Sequence, residues 1–463
     1  MSKLILPSLL ALAIGVSGCT LAPRYERPGL PVAQNWSVPA PAAASDARLS
    51  WRDLFTDPAL QKTIELALAN NRDLRVATLN VQKARAQYGV TRAGLLPSLD
   101  ATGSGAKSHL NTPTAATDAN GDSESYAAGL SASWELDLFG RVQSLKNAAR
   151  EDVFAAQENR NAAQIALIAA VADAWIGLAA DQDALNLSQQ TYASLNDAYG
   201  IAQKQAGIGA ISDLDLNQIK TEMEQARVNA AAAATAVDQD KAALTLLLGA
   251  NLPADLTPTG LSGDVVANDI PVGLPSGVLL NRPDVLAAEH DLKAYNADIG
   301  AARAAFFPSI SLTGATGAAS SALSDLFRSA SGKWSYGANL SVPIFAGGAN
   351  LNALRAAKVS RDIAVAQYEQ AIQSAFSDVN KALAVRARID ERLDAQTAAT
   401  GAAQTSLDLS QARYRAGADS YLTLMTAQRT LYASQSALIG LKALKADNLV
   451  ALYAAIADDR SLQ

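Results

Sequence analysis

The sequence predicts an α+β membrane protein in which short β-strands are set between very long, paired helices. Three observations predict it. Two stretches alternate apolar and polar residues over lengths that could cross a bilayer. Long stretches between them carry coiled-coil periodicity. The whole pattern occurs twice in one chain.

The strands are read from period-two alternation. Tyr126, Ala128, Leu130, Ala132, Trp134, Leu136 and Leu138 are apolar, and the intervening Gly129, Ser131, Ser133, Glu135 and Asp137 are small or polar. Trp334, Tyr336, Ala338, Leu340, Val342 and Ile344 repeat this against Ser335, Gly337, Asn339 and Ser341. Successive side chains of a strand point to opposite faces, so each segment has one face for lipid and one for water. Weaker, glycine-rich partners precede each of them. The predicted strands are 98–109, 126–138, 309–319 and 334–344. Aromatic residues gather at their ends, with Tyr126, Trp334 and Tyr336 at one rim. Trp134, Phe139, Phe306, Phe307 and Phe345 lie toward the other, as interfacial girdles do.

The helices follow from a second periodicity. Arg141–Tyr199 and Leu351–Tyr414 read as long helices, each followed by a partner. In the first partner Leu216, Ile219, Met223, Ala226, Ala230, Ala233 and Val237 alternate spacings of three and four, and in the second Leu424, Ala427, Leu431, Ser434, Leu438 and Leu441 do the same. Such seams pack as coiled coils, and their small residues bring backbones close. The tips are predicted at 200–212 and 414–421, with the turns at Gly207–Ser212 and Gly417–Ser420.

The duplication is legible in fixed offsets. Pro97-Ser98 recurs as Pro308-Ser309, an offset of 211. Gly209, Ala210, Ser212, Leu214 and Leu216 recur as Gly417, Ala418, Ser420, Leu422 and Leu424, an offset of 208. The repeated unit is helix, strand, loop, strand, long helix, tip, long helix, over 71–250 and again over 284–447.

Composition excludes several function classes. Of 463 residues 49% are hydrophobic but only 5% aromatic, which suits close-packed helices rather than a thick globular core. A net charge of -6 leaves no basic stripe for nucleic acid. Two histidines and one cysteine give little for a metal site or a thiol enzyme, and no cofactor is expected. Ser331-Gly332-Lys333-Trp334 lacks the upstream glycine and following hydroxyl of a phosphate loop. Asp213 and Asp215 sit where acidic residues favour a helix N-terminus. The chain is not expected to be an enzyme.

The N-terminus predicts export. Lys3 precedes an apolar run, Leu4 to Val16, too short to span a bilayer. Val16-Ser17-Gly18-Cys19 resembles the lipobox of bacterial lipoproteins. The resemblance implies removal of residues 1–18 and acylation of Cys19, with Thr20 after it directing the protein to the outer membrane. No later stretch reads as a transmembrane helix, so strands must make any crossing. Four strands cannot close a barrel. Two copies would give eight and three would give twelve; the small polar inward face suits a watered lumen and favours three, with larger rings left open.

With these elements in place, the chain resembles the TolC and OprM family of outer-membrane efflux proteins, more closely its lipidated OprM branch. The resemblance rests on Trp51-Arg52-Asp53-Leu54-Phe55 with Asp57-Pro58, on Asn281-Arg282-Pro283-Asp284-Val285 and on Trp134-Glu135-Leu136-Asp137-Leu138-Phe139-Gly140. It continues in Val342-Pro343-Ile344-Phe345-Ala346-Gly347-Gly348 and Arg413-Tyr414-Arg415-Ala416-Gly417. It implies a homotrimer with a twelve-stranded barrel in outer-membrane lipid, four strands from each chain. A long periplasmic helical barrel would continue from it, with an equatorial belt built from 19–70, the link 251–283 and the C-terminal 448–463. It also implies a periplasmic adaptor, docked at tips that include Gly209, Ser212, Gly417 and Ser420, and an inner-membrane pump of the resistance-nodulation-division class. Function would be a passive gated duct for drugs or other small molecules. Heavy-metal efflux and type I protein secretion are the same-fold alternatives, and only Met223 and Met425 remain of the methionines for a soft-metal relay.

The same resemblance places a periplasmic gate at Leu422, Thr423 and Thr426, with Tyr414 and Asp213 as a tether between neighbouring tips. Related entrances carry aspartate where this chain has threonine, and Asp419 stands where a latching arginine is found. A charged ring is therefore not expected. A ring of Leu422 side chains is, with Asp419 or Asp215 free to pair with Arg413 or Arg415.

Overall fold

The computed structural model describes residues 20–38, 50–110, 121–261, 265–267, 272 and 275–458. The leader 1–18 and Cys19 lie outside the described residues, as do parts of the 111–125 loop, of the 251–283 link and of the C-terminal segment. In chain order the elements are α1 (Trp51–Leu54), α2 (Pro58–Asn70), α3 (Arg72–Ala93), β1 (Ser98–Leu110), β2 (Gly121–Leu136), α4 (Arg141–Gly207) and α5 (Asp213–Leu248). There follow α6 (Pro275–Leu279), α7 (Pro283–Ala304), β3 (Ser309–Ser320), β4 (Gly332–Ser341), α8 (Ala349–Arg415) and α9 (Tyr421–Ile456).

The duplication holds to the residue in the helices. α3 and α7 each have 22 residues, α4 and α8 each have 67, and α5 and α9 each have 36. The start signals are local. Asp57 accepts hydrogen bonds from Ala59 N and Leu60 N, ahead of Pro58 in the first turn of α2.

Several boundaries differ from expectation, each for a local reason. Residues 200–207, expected in the first tip, continue α4, so only 208–212 turn. β2 begins at Gly121 rather than 126, because backbone pairing with β1 continues past the end of the apolar alternation. It stops at Leu136 because Asp137 accepts hydrogen bonds from Val142 N and Gln143 N and so caps α4. β4 stops at Ser341, so Val342 and Ile344 lie outside it. Pro343 between them has no N–H to give a ladder. The expected C-terminal segment from 448 is the last part of α9, which runs to Ile456. One stretch of α4 is long and apolar enough to cross a bilayer, against the expectation that none would be. Ile168, Val171, Ala172 and Ile176 within it are fully buried, which accounts for its composition.

The chain divides into two compact units. The first comprises residues up to Pro28, Asn80–Ala156 and Ala287–Tyr368; the second comprises Gly29–Leu79, Gln157–Leu286 and the residues from Glu369 onward. The first unit holds the sheet, antiparallel throughout in the order β1-β2-β3-β4. It also holds a strap. From Thr20 the chain runs antiparallel to α7, with Leu21 O accepting from Arg303, Pro23 O from Asn296, and Tyr25 and Arg27 donating to Glu289. The three α7 residues are seven apart, so one face of the helix reads the strap. Burial would raise the Glu289 carboxyl, but hydrogen bonds from Arg27 and Lys293 outweigh it and hold the group below its ordinary range.

In the second unit the core is aromatic at one end. Trp51, Leu54, Phe55, Leu60 and Ile64 are fully buried, and Phe55 meets the Tyr453 ring edge-on at 6.0 Å. Arg282, from the Asn-Arg-Pro-Asp segment, donates to Ala455 O at the end of α9 and to the Asp284 carboxylate. Trp36 stacks on Phe376 at 5.4 Å.

Candidate channel lining and helix-tip gate

Residues directly opposite each other in an antiparallel ladder project to the same side, so the pairing register sorts the sheet into two faces. One carries Leu99 and Ala101; Tyr126, Ala128, Leu130, Ala132, Trp134 and Leu136; Ile310 and Leu312; and Trp334, Tyr336, Ala338 and Leu340. The other carries Ser98, Asp100, Thr102 and Ser104; Ser131, Ser133 and Glu135; Ser309, Ser311 and Thr313; and Lys333, Ser335, Asn339 and Ser341. From the helix end up to the Tyr126–Ser320 pair, Thr316 and Ser320 are the polar exceptions on the first face and alanines and glycines complete the second, so the sorting holds across four strands that come from distant parts of the chain. On the apolar side Trp334 and Tyr336 stack at 5.7 Å. Beyond the helix ends of the strands, Phe139 and Phe307 stack at 4.8 Å. Past Tyr126 the β1–β2 hairpin becomes charged, with Lys107 bonded to Glu124 at 3.1 Å. Tyr126 marks the boundary, its hydroxyl 3.4 Å from Glu124.

Among the described residues, the outer edges of β1 and β4 have no partner strand. In lipid, unpaired backbone groups cost several kcal/mol each. The sheet is therefore a fragment of a closed structure.

The two helix tips share one geometry. Gly209 and Gly417 both adopt φ of 72°, a left-handed conformation that glycine reaches without strain. Ala210 N donates to Gln205 O and Gly209 N to Ala206 O; Ala418 N donates to Arg413 O and Gly417 N to Tyr414 O. This is the paired bonding of a Schellman end, made twice. Ser212 and Ser420 then cap α5 and α9 by accepting from Asp215 N and Thr423 N. Glycine turn and serine cap together fix where each hairpin reverses.

The expected gate residues fall into two groups. Leu422, Thr423 and Thr426 line one exposed groove on α9, with Ala403, Ser406 and Ser410 of α8 on its other wall. Leu422 is 57% exposed, whereas Tyr421, Leu424 and Met425 beside it are buried in the tip core with Ala202 and Ile219. Leu422 is thus not one of the residues that hold the hairpins together. Tyr414 and Asp213 are not brought together within the chain. Tyr414 meets Tyr421 edge-on at 5.5 Å, and burial pushes the Tyr421 hydroxyl up to about 12. Asp213 is exposed at the first turn of α5. Asp419 pairs with Arg413 through two hydrogen bonds of 2.8 and 2.9 Å, which hold its carboxyl below the ordinary range. Asp215 is engaged by Ser212 at 2.7 Å.

One link could not be read from sequence. Arg429 of α9 makes a bidentate pair with Glu222 of α5, across 207 residues of chain. One turn along α9, Tyr432 meets Ser188 of α4 at 3.0 Å. Both contacts border a cavity of about 540 Å3 between the helices, floored by Leu187, Leu195 and Leu431.

The outer membrane efflux protein family matches residues 63–250 and 274–458. The toluene efflux pump outer membrane protein TtgC of Pseudomonas putida is 43% identical over 460 residues, covering 97% of this chain and 95% of that protein. The cation efflux system protein CusC of Escherichia coli is 38% identical over 457 residues, covering 98% of each. Among solved structures, the open state of the MtrE outer membrane channel of Neisseria gonorrhoeae superposes with a TM-score of 0.85 at 38% identity, over 95% of this chain and 98% of that one.

Proposed function

Because the chain belongs to the outer membrane efflux protein family, we propose that it forms a homotrimeric, gated and passive duct for organic small molecules in a tripartite pump. It is an outer-membrane efflux component and not an enzyme. The observation that carries the duct reading is the two-faced sheet with free edges. Three copies would pair β4 of one with β1 of the next, close twelve strands, and turn the hydroxyl-lined face onto water. The duct needs no energy source of its own; an inner-membrane pump of the resistance-nodulation-division class would supply the drive. A periplasmic adaptor would dock at the paired tips, where Gly209, Ser212, Gly417 and Ser420 shape the surface.

Organic cargo is favoured over metal ions. TtgC, by its name, serves toluene efflux, and CusC serves cations. Here Met223 and Met425 are buried in apolar clusters, so their sulfurs do not line the groove at Leu422. The test is a deletion strain complemented with this gene. Recovery of resistance to organic solvents or antibiotics, without recovery of copper or silver resistance, is the expected result. Metal resistance alone would overturn the cargo assignment. A peptide tag placed within 320–333, between β3 and β4, should be reached by antibody on whole cells, as that connection faces outward in this reading. A tag at Gly207, in α4 next to the first tip, should not be.

We assign the anchor to an acylated Cys19. Support comes from the strap, since the Thr20 hydroxyl sits 2.7 Å from that of Ser144, one turn into the helix that follows β2. Acyl chains on residue 19 would therefore enter lipid beside the base of the sheet. Wild type should incorporate labelled palmitate and Cys19→Ser should not; equal labelling would rule out the anchor. Export by Cys19→Ser should fall only partly, because the barrel also holds the protein in the bilayer.

A further inference from the structure

The polar face of the sheet is almost uncharged, and its few charges are arranged by end. Among the described strand residues only Asp100, Glu135 and Lys333 are ionic on that face. Glu135 is neutralised by Arg141 through two hydrogen bonds of 3.0 and 2.8 Å. Asp100 and Lys333 are exposed and make no ion pair with a described residue. Asp100 is the third residue of β1, which rises from the helix end, and Lys333 is the second of β4, which starts at the loop end. Hydrogen-bonded rows do not mark equal heights. Ser98, the first residue of β1, lies in the row of Gly337, four residues short of the end of β4, a stagger of the kind that barrel closure requires. Strand ends mark the rims, so the two charges lie at opposite rims. Near Lys333, the loop's Asp325 and Arg328 cancel each other at 3.2 Å.

We propose that Asp100 and Lys333 are the charge-selecting residues of the duct. Resting on the trimeric-barrel reading, the proposal gives a negative ring at the helix end of the lumen and a positive ring at the outer mouth, with hydroxyls between. Cations concentrate at the inner ring and anions at the outer one. The outer ring also lowers the local concentration of external cations, which opposes re-entry of a cationic cargo. A wall of low dielectric around a narrow water column focuses such fields.

Cysteine probes measure this potential from the outside, whatever the state of the tips. In a background with Cys19 retained as the only native cysteine, Ser131→Cys lies directly opposite Asp100 and Ala319→Cys lies diagonal to Lys333. Each is treated in purified trimers with cationic and anionic methanethiosulfonate reagents of similar size. Adding Asp100→Asn should lower the cation-to-anion rate ratio at Ser131→Cys roughly threefold at 0.15 M salt and leave Ala319→Cys unmoved. Adding Lys333→Gln should raise the ratio at Ala319→Cys by a similar factor and leave Ser131→Cys unmoved. Both effects should shrink in 1 M salt. Ratios that ignore the two substitutions would overturn the proposal. If neither cysteine reacts in an assembled trimer, the polar face does not line water, and the barrel reading fails instead.

Discussion

Gly317→Val is expected to prevent assembly of the channel, reducing the amount of trimer in the outer membrane about tenfold or more. Gly317 and Gly129 face each other across the central pair of strands. A β-carbon on Gly317 would come within 2.6 Å of Gly129 Cα and closer still to the Ala128 carbonyl oxygen, and one on Gly129 would meet Thr316 O at 2.8 Å. Those neighbours are backbone, so relief requires β2 and β3 to part. Overpacking in a soluble core costs about 1–3 kcal/mol. Here each ladder bond lost in lipid adds several more, because water is absent to replace it. Gly314→Val is the matched control, three residues away on the same strand, where a β-carbon meets nothing within 4 Å. Semi-native electrophoresis of membranes reads the outcome. If the two variants assembled equally well, the close approach of β2 and β3 would not matter.

Leu422→Ser should leave assembly intact and open the entrance. The proposed gate is an apolar constriction in which three Leu422 side chains, one from each subunit of a trimer, would close by contact and dewetting. Because Leu422 is 57% exposed in the single chain, the substitution should change trimer stability by less than about 0.5 kcal/mol. Leu424→Ser should behave oppositely, since its side chain is 6% exposed within the tip core. A loss of about 2–5 kcal/mol is expected there, with no selective gain in conductance. Single-channel conductance of Leu422→Ser in planar bilayers should rise several-fold, and cells should become sensitive to vancomycin. A normally assembled trimer with wild-type conductance would show that the constriction lies elsewhere.

The contrast between those two leucines marks what was legible in the sequence. Leu424 belongs to a heptad seam, and seams are visible because each buried position predicts the next. Alternation in β2 and β4 was visible for the same reason, since bilayer and lumen impose opposite chemistry on successive residues. Where no such pressure acts, the reading drifted. The upper end of β2, Gly121–Ser125, is polar throughout because it lies beyond the apolar band, yet it is paired strand. Residues 200–207 look turn-like for their two glycines, but the helix ends only where Gly209 can adopt a positive φ. The Glu222–Arg429 pair was invisible, because each residue alone is one more charge on a solvated helix and only the packing of α5 on α9 joins them. The Asp419–Arg413 pair was within reach, six residues apart around a tight turn.

The strap along α7 has a consequence for biogenesis. Its partners lie 262 to 282 residues later in the chain, from Glu289 to Arg303. The sheet, by contrast, is ordered as it is synthesised, each strand pairing with the one before it. A chain emerging N-terminus first therefore delivers the strap at the start and can seat it only after two thirds of the polypeptide has followed. Until then the strap is an untethered peptide, so its docking reports that the first helix of the second repeat has been delivered and folded.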